Sequence, residues 1–134
     1  MTLALDTTAL LARYLEGPFH PVILGAMSND RDWCASALAL TEAMMLVDRL
    51  GDDPTRTDEL RGAIRDDWSR IAVIPLDQRC LDRAAELGRT QPVRTIDALH
   101  LAAADRLPKP LTYATFDPAQ IPVALSLGFE IVST

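Results

Sequence analysis

Short apolar runs alternate with longer stretches of helical period from one end of the chain to the other. Leu3-Ala4-Leu5 predicts a buried strand, cut off by Asp6-Thr7-Thr8, and Leu10, Leu11, Tyr14 and Leu15 then follow helical spacing until Gly17-Pro18. Residues 18–32 read as a loop around a short helix near Val22–Met27. Trp33–Ser36 predicts a second strand, and Ala37 to Leu50 a largely apolar helix closed by Gly51 and the turn Asp52-Asp53-Pro54. Leu60, Ile64 and Trp68 recur every four residues, which predicts an amphipathic helix over 57–70 with Asp58, Glu59, Arg61, Arg65, Asp66 and Asp67 on a solvated face. A third strand at Ile71–Ile74 follows, then a helix from Gln78 to Leu87, capped by Asp77 and ended by Gly88. Leu111–Thr115 predicts a fourth strand. Asp117 stands where an N-cap belongs, with Pro118 at the first helical position of a helix to Leu127, and Phe129–Val132 closes the chain as a strand. Strands alternating with helices throughout imply an α/β three-layer sandwich around a central, mostly parallel sheet. No linker or repeat divides residues 1–134, so a single domain is expected.

One stretch departs from the amphipathic rule. Arg94 to Ala104 is built of helix formers and is apolar almost all the way round, as a buried helix reads, and Pro108 and Pro110 end it. It nevertheless carries Asp97 near its start. A lone carboxylate in apolar surroundings must be paired, neutralised or bound to a cation, because burying its charge unaided costs several kcal/mol. Positions 100 and 101 are His and Leu, so no basic partner follows within helical reach. Capping of the helix start by Thr95 or Asp97 is the competing explanation. Glu42 poses the same question among Leu40, Ala43 and Met44.

Composition narrows the classes. With 134 residues and 49% apolar content the chain buries a normal core, and disorder is excluded. No apolar run reaches the ~18–20 residues of a membrane span. Met1 to Asp6 lacks the basic region of a signal peptide. Cys34 and Cys80 have no metal-ligand spacing and read as core residues of a reducing compartment, so a cytoplasmic protein is expected. The net charge of −6 argues against a broad phosphate-binding surface, although not against a nucleic-acid enzyme whose acids gather at a metal site.

In open parallel sheets, ligands bind beyond the carboxyl ends of the strands, where strand order reverses. Asp6 and Asp117 each follow a strand, and Glu42 and Asp97 each lie near a helix start, so four acids from four segments can meet at one edge. Like charges sharing an apolar site require a compensating cation. Carboxylates without a His or Cys set suit the hard ions Mg²⁺ and Mn²⁺. His20 and His100 are too few for a zinc site; His100 is read as a packed core histidine or as a group orienting Asp97. Thr7 and Thr8 either serve the acids or cap a helix. Arg13, Arg31 and Arg94 are candidate phosphate contacts. GxSxG, Walker A and GxGxxG motifs are absent, and the aromatics are few and scattered along the sequence.

The ordered set Leu5-Asp6-Thr7-Thr8-Ala9-Leu10-Leu11, Leu40-Thr41-Glu42-Ala43, Ile96-Asp97-Ala98-Leu99-His100-Leu101-Ala102-Ala103-Ala104 and Thr115-Phe116-Asp117 resembles the PIN-domain nucleases. It is similar in particular to the VapC-like toxin ribonucleases of bacterial toxin–antitoxin pairs. The resemblance runs along the whole chain. It implies a five-stranded parallel sheet between helices, and an Mg²⁺- or Mn²⁺-dependent endoribonuclease acting on RNA. Asp6, Glu42 and Asp97 match the core metal acids and Asp117 the fourth, more variable one. It also implies inhibition by a small cognate antitoxin, with an Arg placed among the carboxylates, and a homodimer. Two further readings stay open at this point: an Mg²⁺-dependent phosphatase-like hydrolase, and a catalytically inactive PIN-like binding module.

Overall fold

A computed structural model describes residues 1–51 and 53–133. Five strands, β1 (Thr2–Leu5), β2 (Asp32–Ser36), β3 (Ala72–Ile74), β4 (Leu111–Ala114) and β5 (Glu130–Val132), form one sheet in the order β3-β2-β1-β4-β5. Every pairing is parallel, with Leu5 opposite both Ala35 and Ala114. The helices are α1 (Thr7–Ala12), α2 (His20–Asn29), α3 (Leu38–Leu50), α4 (Pro54–Trp68), α5 (Gln78–Thr90), α6 (Thr95–Asp105) and α7 (Ile121–Ser126). The expected α/β sandwich with a parallel five-stranded sheet is what forms.

Side chains alternate across a strand, so β1 feeds two cores. Leu3 and Leu5 pack with Leu10, Ile23, Val47 and Ile64 on one face, and Ala4 packs with Leu101, Tyr113 and Val123 on the other. Fully burying each such aliphatic side chain contributes about 1.5–3 kcal/mol. Helix α6 is buried almost all round, as its composition predicts: Ala98, Leu101, Ala102, Ala103 and Ala104 are all enclosed. Its small residues let it lie close against the sheet and α5. Both cysteines are buried as free thiols. Among the described residues no helix is long and apolar enough to cross a membrane.

Several boundaries move from their predicted places, each for a local reason. The segment around Val22–Met27 extends to His20–Asn29, started by Pro21 in its first turn. Helix α4 begins earlier than predicted, because Asp53 accepts from the Thr55 amide (3.0 Å) as N-cap and Pro54 opens the helix. The predicted turn there includes Asp52, which lies outside the described residues. Helix α5 runs through Gly88 to Thr90 and stops at Gln91. Gln91 precedes Pro92, which forces it into extended backbone (φ −130, ψ 149). Helix α7 begins at Ile121, with Pro122 in its first turn, in place of the predicted start at Pro118. Asp117 instead closes a turn, its Oδ1 accepting from the Ala119 amide at 3.0 Å.

Candidate functional site

The chain lays down β1, β2 and β3 in one direction across the sheet and then returns to the other side of β1 to place β4 and β5. The reversal lies between β1 and β4, and there the carboxyl ends of parallel strands leave a crevice. Asp6 follows β1 and Thr115 follows β4 directly. Asp6, Glu42, Asp97 and Asp117 all line one cavity of about 250 Å³ at this point. The four acids singled out in the sequence therefore come together, from four segments.

Asp6 is the most deeply held, at 1% exposure. It is the N-cap of α1: Oδ1 accepts from the Ala9 amide (2.8 Å) and the Thr8 hydroxyl (2.7 Å). Oδ2 accepts from the Thr115 hydroxyl (2.6 Å) and the Gln120 amide (3.0 Å). Burial pushes its carboxyl above the ordinary aspartate value, against the lowering effect of these donors and of His100. Capping and site geometry thus coexist in one residue.

Asp97 does not cap α6. Arg94 is the N-cap residue and makes no side-chain cap, while Asp97 sits in the first turn with its carboxylate turned into the cavity. Its Oδ1 accepts from Gln120 Nε2 (3.0 Å) and its Oδ2 from Arg94 Nε (3.1 Å). The basic partner thus precedes Asp97 by three residues. Arg94 Nη2 also reaches Asp117 Oδ2 at 3.3 Å, so one guanidinium spans two acids. The arginine among the carboxylates here is the chain's own.

Glu42 is held from another side. Its Oε1 accepts from the Thr7 hydroxyl (2.5 Å) and from His100 Nε2 (2.6 Å), and His100 Nδ1 meets the Ser36 hydroxyl at 2.8 Å. A carboxylate only accepts, so Nε2 carries the hydrogen. Burial works to raise the Glu42 carboxyl, but the bonds from His100 and Thr7 outweigh it, and the net shift is downward. His100 is a hydrogen-bonded core histidine, and the acid it orients is Glu42 in place of Asp97.

Sequence reasoning missed Gln120. It is 1% exposed, and its single amide nitrogen touches both Asp6 and Asp97. The Tyr113 hydroxyl donates to its Oε1 (2.6 Å), which fixes the amide with its N–H groups toward the acids. Burial, then the neighbouring acids, push the Tyr113 phenol well above its ordinary value and keep it a donor. Thr115 and Ser36 were also missed, although both sit at strand carboxyl ends, where a positional search would have found them. Of the three candidate phosphate contacts only Arg94 lies here. Arg13 is spent on Asp67 (2.9 Å) and lies over the Trp33 ring, and Arg31 is exposed before β2, at the opposite edge of the sheet. Phe19 and Phe116, far apart in sequence, stack at 4.4 Å.

Among the described residues no three acidic, histidine or cysteine side chains stand together at metal-ligating distance. The Gln120 amide lies between Asp6 and Asp97, and the Arg94 guanidinium between Asp97 and Asp117. The carboxylate oxygens facing the cavity are nonetheless of the type that hard divalent cations take, and a positive charge already bridges two of the acids.

A parallel sheet with acids gathered at its switch point defines a class of α/β domain, and the sequence places the chain within it: residues 3–125 match the PIN domain, and the chain belongs to that family. It is 26% identical over 134 residues to Ribonuclease VapC47 of Mycobacterium tuberculosis, covering 96% of this chain and 94% of that one. Its fold is similar to that of VapBC2 from Rickettsia felis, solved bound to a DNA fragment from their promoter (TM-score 0.72, 14% identity, 100% and 99% of the two chains). It is also similar to the Mycobacterium tuberculosis VapC20, described as a sarcin-ricin loop cleaving toxin (TM-score 0.71, 16% identity, 90% and 94% covered).

Proposed function

We propose that this chain is a divalent-metal-dependent endoribonuclease, the toxin of a toxin–antitoxin pair, with Asp6, Glu42, Asp97 and Asp117 as its Mg²⁺- or Mn²⁺-holding acids. The observation that carries the reading is the convergence of those carboxylates, from four segments, on one crevice at the β1/β4 switch point. The relative named as a ribonuclease and the fold neighbours solved as toxin–antitoxin complexes support the RNA substrate and the protein partner. A small antitoxin protein is the expected inhibitor, a homodimer the expected assembly and the cytoplasm the expected location.

When bound, the ion lowers the pKa of an attacking water and offsets charge on the phosphate. The chain's own residues supply the geometry. Four donors hold Asp6 in one orientation, and Gln120 sets its distance from Asp97. The Thr7–His100–Ser36 cluster aims Glu42 from the opposite wall. Such preorganisation is worth about 10²–10³-fold per group in a water-poor site. A phosphatase using Asp6 as nucleophile fits less well, because position 8, two residues on, is Thr in place of a second acid, and Lys109 is the only lysine.

Incubating the purified chain with structured RNA, with Mn²⁺ or with EDTA, tests the reading. Cleavage that needs the metal and disappears in Asp6→Asn supports it; metal-independent cleavage, or none under any condition, refutes it.

A further inference from the structure

Arg94 combines two properties that are seldom found together. Its guanidinium bridges two of the four cavity acids, through Nε to Asp97 (3.1 Å) and Nη2 to Asp117 (3.3 Å). Yet 80% of its side chain is open to solvent, while Asp97 and Asp117 are 9% and 17% exposed. The acids are fixed and walled in; the cation that joins them is held only by its tip. Asp97 is further anchored by Gln120 and Asp117 by the Ala119 amide. Rotation about the arginine's own side-chain bonds frees the guanidinium without disturbing α6, whose first turn it does not cap. A second hollow, lined by Glu42, Arg94, Thr95, Ile96 and Asp97, adjoins the first along the Arg94 side chain and gives it somewhere to go.

We propose that Arg94 is a built-in counter-ion that the divalent cation must displace, and that the displaced guanidinium then binds substrate phosphate at the mouth of the same cleft. The inference rests on the metal-dependent reading above and adds an exchange to it. Before loading, one positive charge satisfies Asp97 and Asp117. A divalent ion at these acids delivers two charges and repels the guanidinium, which remains tethered within a side chain's length of the cavity. Its planar fork then meets an anion that matches it, since arginine takes phosphate oxygens two at a time.

The exchange predicts opposite effects from one substitution. Arg94→Gln removes the competitor, so Mn²⁺ should bind about fivefold tighter or more, on the scale of one like charge near a protein surface. The same variant should bind a short labelled single-stranded RNA about tenfold more weakly, the scale of losing a hydrogen bond to a charged group. Mn²⁺ binding is read by electron paramagnetic resonance of the free ion, with no turnover, and RNA binding by anisotropy in saturating Mn²⁺. Arg94→Lys keeps the charge but cannot span both carboxylates. It should fall between wild type and the Gln variant, and it carries the test if the Gln variant fails to fold. Unchanged or weaker Mn²⁺ binding in the variants, with wild type binding normally, overturns the exchange and leaves the metal site standing. Unchanged RNA binding overturns the phosphate role. No Mn²⁺ binding by wild type overturns both the exchange and the reading beneath it.

Discussion

Two buried aspartates, Asp6 and Asp67, solve the same electrostatic problem in opposite ways. Asp67, on α4, is ringed by positive charge: Arg13 Nε lies 2.9 Å from Oδ2, Arg70 pairs with Oδ1, and the Tyr14 hydroxyl donates to Oδ2 at 2.7 Å. Asp6 is more deeply buried, yet it receives only neutral donors and faces three other acids across a cavity. The first arrangement is complete as it stands and ties α1 to α4. The second leaves charge uncompensated, and a fold tolerates that where the deficit serves binding. Buried acid alone does not mark a site; what sets Asp6 apart is that its burial comes with three other acids and no cation of its own.

The two aspartates should differ most in chemistry. Asp6→Asn or Asp97→Asn should lower metal-dependent RNA cleavage by at least ~10²-fold. Asp67→Ala should leave the rate per folded molecule within about threefold, since it removes no group facing the cavity. Equal losses in the two sets would mean that Asp6 and Asp97 act as scaffold in the way Asp67 does.

Stability should reverse the ranking. Removing Asp67 strands Arg13 and Arg70 beside Tyr14, so Asp67→Ala should cost about 2–3 kcal/mol, somewhat less than a fully buried pair because Arg70 is mostly exposed. Urea unfolding measures it, and a loss below about 0.5 kcal/mol would make the cluster ornamental to the fold.

The charge on Asp6 should also show in the pH dependence of stability. Burial raises the folded-state value of the Asp6 carboxyl above its unfolded one. Its charge therefore costs stability at neutral pH, and the cost fades as pH falls through the raised value, vanishing below the unfolded value near 3.8. In EDTA, Asp6→Asn should melt about 2–5 °C above wild type at pH 7.5, with the gap narrowing as pH falls through the raised value. A gap that does not move with pH would mean that the hydrogen bonds to Asp6, and not its charge, set the difference.

The smallest effect calibrates the others. Gly62 and Gly88 sit inside helices, and a methyl at either meets nothing within 4 Å. Gly62→Ala and Gly88→Ala should each stabilise by about 0.5–1 kcal/mol without altering cleavage. Melting curves that fail to resolve either gain would indicate that these helices fray at the glycines.

The alternation of strand and helix, the buried character of α6 and the four acids are all legible in the sequence because each is a local pattern. What escaped is non-local. Asp67 is read as part of a solvated face, although it lies three residues after buried Ile64 and so on the same side of the helix. Its partners Arg13 and Tyr14 stand more than fifty positions away. Arg94 is overlooked as the partner of Asp97 because reach along a helix runs toward earlier residues as well as later ones. Gln120 carries no local signal at all. Its role exists only once β1, α6 and the β4–α7 turn are side by side. The four carboxylates themselves remain a proposed ligand set, to be tested by the substitutions above.

The position of β1 at the middle of the sheet has a consequence for how the chain is made. Asp6 is synthesised well before the residues that hold it: Thr115 lies 109 residues later, and Gln120 114 residues later. At ~5–20 residues per second on a ribosome, roughly 5–20 s separate the two halves of the crevice. During that interval β1 has β2 beside it and an open edge where β4 belongs. A growing chain therefore holds one wall of the crevice throughout that interval, and gains the other only when β4 and the Gln120 turn have emerged.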